Sequence, residues 1–175
     1  MNPGLARQYA PVVLSILAFL PLLVFVIEKP PLSVAAKPEA RELIQPIVAL
    51  FGLTALVWVL MFVYRNVAVV RRVASLRYYQ TYNADVPPEW VERPARTFMN
   101  LLEVPLLFYV VCVLMLQMGR WDSVQLSLAW FFVALRYVHA IVYIALNDVP
   151  LRFATYAMGC ITVTVIWWRF VSAIF

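Results

Sequence analysis

Arg96, Asn100 and Glu103 stand at i, i+4 and i+7, a spacing that places all three on one face of a helix. The segment they open runs apolar through Val104, Pro105 and Leu106 to Met118. An arginine, an amide and a carboxylate that enter a bilayer on one stripe need a function or a partner. A second stripe follows at Arg136, His139 and Tyr143, spaced i, i+3 and i+7. A membrane-buried arginine costs about 3 kcal/mol on insertion scales, so Arg136 is expected to have a partner. By the helical rise, Glu103 lies roughly 10 Å deeper than Arg96, and Arg136 about 10 Å deeper than Tyr143 on a helix of opposite direction. Glu103 and Arg136 are therefore expected to meet at similar depth as an ion pair.

The chemistry these residues could do is narrow. His139 is the single histidine, with no neighbouring acidic cluster at ligand spacing, so a metal site is not expected. No serine accompanies it at a spacing diagnostic of hydrolysis. What favours a functional reading is convergence: two faces rich in hydrogen-bonding groups come from different helices and meet near one membrane surface, beside a third basic position, Arg152. The competing reading is structural: polar residues in helical membrane bundles often serve only to join helices, and His139 alone reads more readily as a satisfied core residue than as a ligand.

The elements that position them follow from composition. The chain is 65% hydrophobic and 13% charged, with mean hydropathy +0.85, which marks an all-α integral membrane protein. The apolar runs are continuous, not alternating, so a barrel is not expected. Five spans emerge: Tyr9 to Ile27, Pro46 to about Tyr64, about Asn100 to Met118, Val124 to Leu146, and Arg152 to Phe170. The first could also be a signal peptide, since Val34-Ala35-Ala36 resembles a cleavage site. Residues 1–45 thus form an extra N-terminal transmembrane helix and connector, and 46–175 a four-helix domain. Cys112 and Cys160 lie inside apolar runs and read as free buried thiols.

Net charge is +5, but six of the fourteen basic residues fall between Arg65 and Arg96. That clustering points to membrane orientation and not to nucleic acid. It places this loop and the N-terminus in the cytoplasm.

The paired stripes resemble the MAPEG family, the membrane-associated proteins in eicosanoid and glutathione metabolism, over about residues 46–175. Glu92-Arg93, Arg96, Asn100 and Glu103 match the family's signature. Arg136, His139, Tyr143 and Arg152 reproduce the order and spacing seen in microsomal glutathione transferases, and a bacterial-type member is expected. Val104 and the early Pro105 depart from the better-known glutathione-using members, and the first span has no counterpart in the family core.

The resemblance implies a homotrimer of four-helix bundles in the inner membrane, with glutathione as co-substrate near the cytoplasmic face between subunits. Arg96, Asn100 and Glu103 would bind the tripeptide, with His139, Tyr143 and Arg136 nearby. Arg152 would be catalytic and stabilise the thiolate. Arg72, or Arg71, would come from the adjacent subunit. The implied activity is a transferase or peroxidase acting on lipophilic electrophiles or lipid hydroperoxides. The alternative is a non-catalytic relative that binds lipid or a partner membrane protein.

Overall fold

The computed structural model describes residues 38–82 and 86–175, with helical positions at 10, 13–14, 16–21 and 24. The expected first span and its connector lie largely outside the described residues. Within the described residues the chain is helical: α1 (Ala40–Val70), the short α2 (Leu76–Thr81), α3 (Glu89–Met118), α4 (Ser123–Ile141, continued by a π-helical turn Val142–Leu146) and α5 (Val149–Ser172). Except for α2, each is long and apolar enough to cross a membrane.

α1 begins at Ala40, so Pro46 lies inside it and does not open it. At 31 residues the helix is about 46 Å long, more than the roughly 30 Å of hydrocarbon. It therefore carries Arg65 out to the interface. Its buried seam, Leu43, Pro46, Leu50, Leu53 and Val57, packs on α3, while Phe51, Trp58 and Phe62 are exposed, as lipid permits. α3 likewise starts earlier than expected, at Glu89. It turns Leu101, Phe108, Cys112 and Met115 inward against Phe132 of α4 and Ile166 of α5. The rings of Phe108 and Phe132 stack at 4.8 Å.

The turn at 119–122 is set by local chemistry. Gly119 takes the left-handed conformation at φ 64°, and the Arg120 N–H closes onto the Met115 carbonyl at 3.1 Å. Asp122 then caps α4 in a reciprocal box with Gln125. Its second oxygen accepts from Arg169 of α5 at 2.7 Å, with both side chains largely shielded. The indole of Trp121 donates to the Pro38 carbonyl ahead of α1. One end of the bundle is thus tied across three helices.

Asp122→Ala removes a helix cap and the carboxylate partner of a shielded guanidinium. Thermal unfolding of the full chain in detergent is expected to show a loss of about 3 kcal/mol. Asp148→Ala, an exposed cap of α5, is expected to cost about 1 kcal/mol.

Candidate functional site

The second stripe is buried as a unit. Arg136 is 1% exposed, His139 4% and Tyr143 7%, and all three face α5. Among the described residues Arg136 has no carboxylate partner. Its Nη2 donates to the backbone carbonyls of Thr155 at 3.1 Å and Tyr156 at 3.2 Å. Its guanidinium lies over the rings of Phe132 and Tyr156 at 5.3 and 5.4 Å. Hydrogen bonds to a charged group are worth about 1.5–3 kcal/mol each, enough to offset the cost of inserting this cation. The site exists because residue 159 is glycine: a Cβ there would sit 2.0 Å from Arg136 Nη2.

The expected ion pair with Glu103 does not form within the chain. Glu103 is exposed on the outer face of α3, in line with Arg96, Met99, Leu106 and Val110. Helical rise along each helix says nothing of azimuth. The large apolar side chains of α3 claim the inward face and turn the Arg96–Asn100–Glu103 stripe outward. In a single chain the two stripes are therefore not two walls of one cleft.

His139 is oriented by α5. Its Nδ1 lies 3.1 Å from both the Arg152 carbonyl and the Thr155 hydroxyl oxygen. A carbonyl only accepts, so Nδ1 carries the hydrogen. The Thr155 hydroxyl in turn donates to the Leu151 carbonyl at 2.9 Å. Nε2 is left with a buried, unpartnered lone pair.

Arg152 is placed by two contacts that sequence spacing did not reveal. Its guanidinium carbon lies 3.5 Å from the centre of the Tyr143 ring, a cation–π stack. Its Nη1 donates to Asn147 Oδ1 at 2.7 Å. The amide of Asn147 is itself oriented, because its Nδ2 donates to Glu89, which leaves Oδ1 to face Arg152. Asn147 can sit there because the π-helical turn ends in a left-handed residue. Its φ is 53°, which Asn tolerates better than most side chains, and its N–H reaches back five residues to the Val142 carbonyl at 2.7 Å. Arg152 was expected to open the last span. α5 starts at Val149 instead, and the carboxylate of Asp148 already caps it at the Leu151 N–H.

Arg71 and Arg72 are exposed beyond α1. Arg72 has φ 57° and lines a separate hollow with Val69, Val73, Ala74 and Ser75. The structure does not bring it to Arg152. Residue type alone does not single out Tyr156, although its place four residues after Arg152 puts it on the same face. Glu89, Asn147 and Gly159 gave no periodic signal.

The family model described as the MAPEG family matches residues 44–172, about three quarters of the chain. The chain belongs to the MAPEG family. Its all-helical membrane bundle fits that assignment, as does a general role in glutathione or eicosanoid metabolism. No match was found among curated proteins or among solved structures.

Gly159→Ala should destabilise the protein by about 2 kcal/mol, because Arg136 is too buried to move aside. In an Arg136→Met background the same change is expected to cost under about 0.5 kcal/mol. Unfolding of the four proteins of this cycle in detergent gives the comparison.

Proposed function

We propose that this MAPEG member is a membrane glutathione transferase or peroxidase-like enzyme that resembles the microsomal glutathione transferases. The observation that carries the reading is the fixed, half-buried Arg152, stacked on Tyr143 and tethered through Asn147 to Glu89. A guanidinium held in place before a ligand arrives stabilises an anion without the cost of ordering itself. The unpartnered Nε2 of His139 accepts a hydrogen bond from the incoming tripeptide.

Glutathione reacts as its thiolate, and a free thiol has a pKa of about 8.5. Each unit by which Arg152 lowers it requires about 1.4 kcal/mol of preferential stabilisation. The thiolate then forms a bond to an electrophilic carbon and displaces its leaving group. Alternatively it reduces a lipid hydroperoxide to the alcohol, with a second glutathione completing the disulfide and water. The lipophilic substrate arrives from the bilayer.

The outward stripe on α3 supports assembly. A carboxylate facing hydrocarbon costs roughly 2.5–3.5 kcal/mol, which burial against a second copy removes. In a homotrimer, Arg96, Asn100 and Glu103 of one subunit face the Arg152 cluster of its neighbour across the bound tripeptide. The arginine-rich end lies in the cytoplasm of a bacterial cell, and the protein sits in the inner membrane.

A second reading, a non-catalytic relative that binds lipid or a membrane partner, draws on the use of Tyr143 as a platform for Arg152, which leaves its ring covered without a ligand.

Ultraviolet absorbance of the glutathione thiolate, titrated on the purified protein, separates the two. For the enzyme, the thiolate forms at least about one pH unit below its free value of 8.5. Arg152→Ala returns the midpoint to the free value, and Asn147→Gly, which keeps the left-handed turn but deletes the tether, falls between. A wild-type midpoint equal to that of free glutathione sinks the catalytic reading.

A further inference from the structure

A second hollow opens at the arginine-rich end, between α1, the end of α2 and the first turns of α3. It encloses about 380 Å³, with Arg65, Glu92, Arg96 and Tyr82 among its polar lining and Met61 and Phe98 among its apolar lining. The order of these groups along the helices is informative. α1 runs toward this end, so Met61 lies one turn deeper than Arg65. α3 runs away from it, so Phe98 lies deeper than Glu92. Both helices thus present polar groups toward the surface and apolar groups one turn further into the bilayer, the profile of an amphiphile.

Two of the lining polar groups carry a buried atom without a partner. Glu92 is 9% exposed, and its Oε1 has no hydrogen-bond partner. Among the described residues no ion pair joins it to Arg65 or Arg96. Arg65 Nε and the Tyr79 hydroxyl are likewise buried and unpartnered, and the Arg65 guanidinium lies 5.4 Å over the Tyr79 ring. Burial, and then the Glu92 carboxylate, push the Tyr79 phenol above its ordinary pKa, so it stays neutral. A buried carboxylate without a partner is costly. A ligand cation would relieve it, and the guanidiniums beside it suit a phosphate.

We propose that this hollow binds a phospholipid whose headgroup carries a primary ammonium. The phosphate sits on Arg65. The ammonium sits on Glu92, and the acyl chains descend past Met61 and Phe98. The proposal stands on the orphan carboxylate and not on the glutathione reading.

The test is native mass spectrometry of the full chain in detergent with phosphatidylethanolamine, phosphatidylcholine and phosphatidylglycerol of identical acyl chains. The ethanolamine lipid is expected to be retained about tenfold over the other two, the effect of one charge-assisted hydrogen-bonded pair. Glu92→Gln should abolish the preference and leave phosphatidylglycerol retention unchanged. Arg65→Gln should lower retention of both. Met61→Trp fills the apolar floor without altering charge, and should also release the ethanolamine lipid. None of these three substitutions should move the thiolate titration. Equal retention of the three lipids would overturn the site, as would a preference that survives Glu92→Gln. So would displacement of the lipid by excess glutathione, which would assign the hollow to the tripeptide.

Discussion

A guanidinium buried in the bundle without an acid beside it governs the geometry of the α4–α5 pair. Arg136 is accommodated only where two carbonyls of α5 turn toward it and where residue 159 lacks a side chain. Those conditions fix the closeness and register of the two helices. Once they are fixed, His139 meets the Arg152 carbonyl and Thr155, and Tyr143 comes to lie beneath the Arg152 guanidinium. The polar cluster at the arginine-rich end is therefore a consequence of packing one turn deeper. Breaking a buried charge network from one side is among the few single changes that cost several kcal/mol.

The two ends of the bundle are built on different principles. At the 119–122 end, polar groups close on one another: Asp122 serves as helix cap and counter-ion at once, and Trp121 meets the chain ahead of α1. At the other end, polar atoms are held in place yet left open. His139 Nε2, Arg152 Nε, Glu92 Oε1 and Arg65 Nε are all buried without a partner. Native structures seldom leave such atoms unpaired, so a concentration of them at one end speaks for ligands.

Much of this was legible from residue types and spacing. Continuous apolar runs gave the four described spans, and Gly119 with Asp122 marked the tight turn between α3 and α4. The spacing of Arg136, His139 and Tyr143 announced a shared face, which the structure buries against α5. What periodicity could not supply was azimuth. Phe108 and Met115 claim the inward face of α3 and send Glu103 outward. Nor could it reveal the π-helical turn, since the reach of Asn147 back to Val142 depends on where α5 must begin. Asn147 and Glu89 act through one amide oriented between two elements far apart in sequence, a relation no local pattern carries. The starts of α1 and α3 were placed too late because Pro46 and the polar stripe looked like boundaries. Both fall inside longer helices whose ends project into the interface.

The tie at the 119–122 end has a mechanical consequence. It has a counterpart at the other end, where Asn147 joins Glu89 of α3 to Arg152 of α5. With polar ties at both ends, sliding one helix past another must break a hydrogen bond at each tip. A membrane-dissolved molecule would therefore meet the helix tips as a rim held in register.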